Sequence, residues 1–362
     1  MKKVVWNLMT FVAFITLATF SCMKNEGAPS EVITLEQNGV FVVNQGNYNY
    51  SNSSIDFYCP DNGKVLNSVF QKANQMKLGD VAQSMTIYDK KAWIAVNNSG
   101  TIYSIDTDTA LECGRIEGLT SPRYIHILNS NKGYITQMYD NRIAIFNPQS
   151  NQITGYITVD GMDSFNASTE SMTQVEDYLF VTCWSYQKEI LKIDTRTDKI
   201  VARKQVGIQP YKILHDVNQK IWCYTDGGSW EENPIGFEKP KLMRIDANTL
   251  EIEKEFFFEK GIYFADFSMN EKGDAILWSD GNIWKMGIGA EVLPEKPFID
   301  ASTIGFLTTM SVDSRTGEIY AADCMDYVQC GVVYHFSKDG ELQGKFKAGI
   351  SPVHIVFKRT TK

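Results

Sequence analysis

The chain has 362 residues, is 43% hydrophobic, and carries 35 Lys and Arg against 43 Asp and Glu, a net charge of −8. That length holds one large domain or two smaller ones with a substantial core. The acidic balance excludes sequence-independent binding to nucleic acid, which needs a cationic surface.

Residues 1–21 read as an export signal. Lys2 and Lys3 precede the apolar run "VVWNLMTFVAFITLATF", which is short for a spanning helix. Cys22 follows Ser21 at the end of that run and resembles a bacterial lipoprotein cleavage box, with Cys22 as the acylated N-terminus. Phe20 sits where a smaller residue is usual. Residues 22–38 are the lipidated cysteine and a polar tether, and no other segment is long and apolar enough to cross a membrane.

Residues 39–362 repeat themselves. Each unit has an apolar strand, a polar turn, a second strand such as "AWIAV", "LFVTC" or "KIWCY", a variable loop, and a third strand such as "IYSID", "ILKID" or "LMRID". An Asp- or Asn-led turn ("DTDT", "NPQS", "DTRTD", "DANT") then leads to a fourth strand. The turns recur every 40–50 residues or so, the period of a four-stranded propeller blade. The C-terminal "PVHIVF" is a first strand with nothing after it, whereas "GVFVVNQG", "SIDFYC" and "KVLNSVF" are second, third and fourth strands with nothing before them. The expected fold is all-β: a single seven-bladed β-propeller of four-stranded blades, closed by pairing the C-terminal strand with three N-terminal strands. An open pair of β-sandwiches is the alternative, and it leaves the C-terminal strand unmatched.

In such a ring one face collects the loops between second and third strands and those between blades. They include "GNYNYSNSS", "QMYDNR", "CWSYQK", "DGGSWEENPIGFEKP" and "CMDYVQC", rich in Tyr, Trp, Asn and Ser. The first, residues 46–54, spends about nine residues where a tight hairpin needs two. Aromatics with polar tips, set among amides, suit a broad ligand rich in amide or hydroxyl groups, or a partner protein. The candidate contacts are Tyr48, Tyr50, Asn52, Tyr124, Tyr139, Phe165, Trp184, Tyr186, Tyr211, Trp230, Tyr263, Phe306, Asp326 and Tyr327. For any one aromatic the plain alternative is cover for the edge of the ring.

Catalytic signals are weak. His126, His215, His335 and His354 are dispersed, and no nucleophile elbow, phosphate loop or metal-ligand spacing occurs. Loop carboxylates such as Asp140, Asp226 and Asp323 are hard oxygen donors, but they form no calcium-loop motif. After Cys22 six cysteines remain; a Cys324–Cys330 disulfide would pin a hairpin loop, and the alternative is that all six are small buried hydrophobes. No metal or cofactor is expected.

Two stretches, "VFVVNQGNYNYSNSSIDFY" and "LGDVAQSMTIYDKKAWIAVNNSGTIYSID", resemble the opening of the YncE-like propeller lipoproteins of Bacteroidetes, and more narrowly the BtuG-like surface cobalamin-binding lipoproteins. The resemblance runs from about Gly39 to Phe357. It implies a non-enzymatic outer-membrane lipoprotein, exposed at the cell surface and held by its lipid alone. It implies capture of cobalamin or a related corrinoid as a transported ligand, and delivery to a BtuB-type TonB-dependent transporter. One departure is "CMKNEG", where a single Glu26 stands in place of the acidic patch common in surface lipoproteins of these bacteria. A lactonase-like metal hydrolase and a protein- or glycan-interaction module are the other readings of the same scaffold.

Overall fold

The computed structural model describes residues 33–163, 165–166, 168–259 and 264–359. The expected signal, Cys22 and most of the tether lie outside them, as does Tyr263. The described strands form seven antiparallel sheets in a ring. Blade 1 joins Pro352–Lys358 to Gly39–Asn44, Ser54–Cys59 and Lys64–Leu66. Blades 2 to 5 and blade 7 are continuous four-strand units whose first strands are Ala82–Tyr88, Pro122–Asn129, Thr169–Val175, Pro210–His215 and Leu307–Val312. Blade 6 begins with Asp266–Met269. Each first strand contacts the next around the centre, and Pro352–Lys358 touches both of its neighbours, so the circle closes.

The apolar pattern explains the ring. A blade buries both faces, so alternate residues of one strand serve two interfaces. In Lys91–Val96, Ala92, Ile94 and Val96 enter the cluster toward blade 1, while Trp93 and Ala95 enter the cluster toward blade 3. Seven apolar clusters fill the seven wedges between blades. The turns between third and fourth strands behave as their sequence says: side-chain oxygens of Asp106, Asn147, Asp194 and Asp246 accept backbone N–H bonds two or three residues on.

Two expectations need correction. Blade 6 has three strands, with a single bridge between Ile283 and Ile299 in place of a fourth. Pro294 and Pro297 lie in the segment that would have formed it, and proline cannot donate to a ladder. In blade 1 the expected "KVLNSVF" strand stops at Leu66, and the chain turns into helix Val69–Asn74. Val69, Phe70 and Ala73 plug the wedge toward blade 2.

Polar bonds along the channel staple every blade junction. Ser84 and Thr86 hydroxyls donate to the Arg123 and Ile125 carbonyls (2.6 and 2.7 Å), Ser171 to Ile213, and Thr308 and Ser311 to Pro352 and Ile355. Arg123–Glu170, Lys212–Asp266, Thr309–Asp266 and the Met85 amide on His354 complete the circle.

The chain enters on the face opposite the long loops. There the Leu35 amide donates to the carbonyl of Asp108, in a turn between third and fourth strands, and Lys358 reaches both. Arg359 pairs with Asp313 on the same face.

Candidate ligand-binding mouth

A cavity of about 470 Å³ opens where the channel meets the loop face. One position, repeated blade by blade, builds much of it. In every blade but blade 6 the residue after the second strand donates its backbone N–H to the carbonyl just before the first strand of the same blade. The pairs are Gln45 to Ser351, Asn97 to Val81, Met138 to Ser121, Trp184 to Ser168, Asp226 to Gln209 and Cys324 to Phe306, at 2.7–3.1 Å. Gln45, Trp184 and Asp226 from this set line the cavity, with Tyr211, Tyr224, Phe237, Phe264 and Tyr327 as aromatic walls and Gln83, Ser229, Thr308 and Ser351 as polar ones.

Trp184 is fixed by a relay across blades 3, 4 and 5. Glu170, wholly buried, accepts two bonds from the Nε of Arg123 at 2.8 and 3.0 Å and one from Ser168 at 3.1 Å. Arg123 also donates to Gln83 at 2.9 Å, and its guanidinium lies 5.8 Å from the centre of the Trp184 ring. The Trp184 Nε1 donates to Asp226 Oδ2 at 2.9 Å, and Gln209 and the Gly228 amide also donate to that carboxylate. Asn233 in turn donates to Gln209 at 2.8 Å. Burial pushes Glu170 up, with Arg123 opposing it, and burial likewise pushes Asp226 up against its hydrogen bonds.

Tyr211, Ala265, Thr308 and Val353 form a waist beneath the mouth, shared with a second chamber of about 280 Å³. Tyr124 lines that chamber; burial raises its hydroxyl, and the Tyr124 hydroxyl does the same to that of Tyr211. Lys212, Asp266 and His354 also lie there. The Met85 N–H donates to His354 Nδ1 at 3.2 Å, so the ring is neutral with its proton on Nε2. Burial and then Lys212 lower His354 to about 4.

The sequence candidates fall into groups. Trp184, Tyr211 and Tyr327 line the mouth; Trp184 and Tyr211 meet edge to face at 5.8 Å, as do Phe306 and Tyr327. Tyr186 packs on Trp230 at 6.3 Å. Tyr48, Tyr50, Tyr139 and Phe165 stand exposed on the same face (53–78%) and are not gathered into the cavity. Asn52 turns inward on its own loop, its Oδ1 accepting the Asn47 amide at 2.7 Å. Asp326 closes a turn by accepting the Val328 and Gln329 amides, which hold its carboxyl down at about 2 after the Gln329 side chain. Cys324 and Cys330 are both free, the first buried and the second exposed, so they do not bridge; Cys113 is exposed, not buried. Three loop tyrosines, Tyr139, Tyr186 and Tyr327, adopt φ of 57–62°, a left-handed region rarely used by bulky residues.

Sequence reasoning missed Arg123, Glu170, Gln45, Gln83 and Tyr224. A signal existed: "SPRYIHI", "QPYKILH" and "SPVHIVF" align, placing Arg123, Tyr211 and Val353 at one level of the channel and Tyr124, Lys212 and His354 at the next. Among the described residues no three His, Cys, Asp or Glu side chains lie close enough to hold a metal ion.

No curated protein sequence matches the chain. Its fold is similar to that of a quinonprotein alcohol dehydrogenase-like protein of Bacteroides thetaiotaomicron, with TM-score 0.67 and 14% identity over 90% of this chain and 79% of that one. It is also similar to the hydrazine synthase of Kuenenia stuttgartiensis (TM-score 0.57, 11% identity, 75% and 93% covered). A third likeness is to the β-propeller domain of Cps50 (Swd1) from Myceliophteria thermophila (TM-score 0.59, 9% identity, 80% and 94% covered). At such identities the likeness is one of fold alone. Residues 38–346 match the family model described as "Domain of unknown function (DUF5074)", and the chain belongs to that family of β-propeller proteins.

Proposed function

We propose that the protein is a non-enzymatic capture protein for cobalamin or a related corrinoid, held at the outer membrane by a lipid on Cys22 and passing its ligand to a BtuB-type TonB-dependent transporter. The observation that carries the reading is the mouth itself: Trp184 locked between Arg123 and Asp226, in a wall of aromatics and amides. A rigid aromatic anchor with satisfied polar neighbours is the arrangement that gives tight binding at small entropic cost. A corrinoid is wider than the cavity. It would lie across the mouth with one edge seated and its amide fringe on the loop face, where Tyr48, Tyr50 and Tyr327 stand exposed. The metal-hydrolase alternative needs a ligand cluster that the described residues do not assemble.

The test is titration calorimetry with cyanocobalamin, with co-elution on size exclusion. Surface capture requires nanomolar binding or tighter, about −12 kcal/mol. Absence of heat and of co-elution at micromolar ligand would sink the reading.

A further inference from the structure

Among the described residues lining the mouth two are charged, Arg123 and Asp226. Arg123 is compensated from behind by Glu170. Asp226 is not compensated: its partners are the Trp184 indole N–H, the Gln209 amide, the Gly228 backbone N–H and the Ser229 hydroxyl, all neutral donors. Both of its oxygens only accept, the pattern of an ionised carboxylate. The rim repeats the sign. Asp323, buried at the same edge, accepts the Phe306 and Met325 amides, and Asp326 accepts those of Val328 and Gln329. Among the described residues no Lys, Arg or His lies within 4 Å of the carboxylates of Asp226, Asp323 or Asp326. Among the described residues lining the mouth the one cation is Arg123, already paired with Glu170, whereas Gln45, Gln83 and Ser351 offer neutral groups hydrogen bonds.

We propose that Asp226 makes the mouth selective for uncharged hydrogen-bonding groups, so that a primary amide of the ligand is accepted and a carboxylate at the same position is rejected. The two groups are nearly the same size and shape. Discrimination therefore comes from charge, and a half-buried site screens it less than water does. This inference rests on the corrinoid reading, and it names which feature of the corrin periphery the protein reads.

The experiment compares cyanocobalamin with its separated monocarboxylic acids, each with one peripheral amide hydrolysed, by calorimetry at pH 7. For the native protein at least one isomer should bind tenfold more weakly or worse. In Asp226→Asn the ratio of acid to amide affinity for that isomer should move at least fivefold toward one, whatever happens to absolute affinity. Should Asp226→Asn fail to fold, Asp226→Ser replaces it, with the same movement of the ratio expected. All isomers binding like the amide would overturn the proposal and leave corrinoid capture standing. Discrimination unchanged in whichever of the two variants folds would remove Asp226 from the role. No binding of cyanocobalamin would remove both readings.

Discussion

Arg123→Met is the sharpest perturbation of the mouth. Glu170 has no solvent exposure, and its partners are Arg123, through two bonds of 2.8 and 3.0 Å, and the Ser168 hydroxyl. Removing the guanidinium leaves a buried carboxylate with one neutral donor. Breaking such a pair costs about 3–5 kcal/mol. For a folded unit of this size that lowers Tm by roughly 4–7 °C. The loss depends on pH. Burial already pushes Glu170 up and Arg123 opposes it, so without Arg123 the folded-state value rises further. A carboxyl raised in the folded state holds a proton that the unfolded chain releases, so stability falls as pH rises through that window. Thermal and urea unfolding from pH 5 to 8 should show the deficit largest at pH 8 and shrinking toward pH 5. Arg123→Met combined with Glu170→Gln should recover part of the deficit. A deficit below about 1 kcal/mol, flat with pH, and no recovery in the double variant would refute the argument that a desolvated carboxylate sits beneath the mouth.

Trp184→Ala should weaken corrinoid binding by at least about 30-fold, the effect of losing roughly 2 kcal/mol from an anchoring aromatic; unchanged calorimetric affinity would make Trp184 mere packing. Tyr139→Asn, at φ 62° and 53% exposed, should raise stability by about 0.5–1 kcal/mol in urea, since Asn tolerates the left-handed region. A loss would show that the Tyr139 ring holds the loop. His354, lowered to about 4 by burial, contributes stability that is present above its unfolded value and lost as pH falls from about 6.5 toward 4. His354→Asn keeps an acceptor for Met85 and should flatten that part of the slope in thermal melts, with His126, His215 and His335, also lowered by burial, retaining a share. Deleting residues 352–362 opens the edge of Gly39–Asn44 and should abolish a soluble, cooperatively melting monomer, read by size exclusion and calorimetry.

The ring was legible because its signals are local. Strand alternation and Asp- or Asn-led turns repeat within each unit, and the unmatched ends at "GVFVV" and "PVHIVF" carry their own register. Blade 6 was misread because strand-forming residues on both sides of Pro294 and Pro297 masked the break. The loop face was legible as chemistry but not as geometry. Asn52 and Asp326 look like ligand contacts, yet each satisfies its own loop, which is what short polar side chains do at turns. The relay that fixes Trp184 joins residues 42 and 47 positions apart, on different blades. No periodicity in the sequence says that Arg123 meets Glu170 or that Trp184 meets Asp226.

Leu35 and Arg359 both leave the ring beside turns on the face remote from the mouth. A label joined directly beside Leu35 or Arg359 therefore sits on that face, away from the loops that line the mouth. Such a label should leave the affinity for cyanocobalamin unchanged in solution calorimetry, whereas one on the loops around Tyr327 should weaken it.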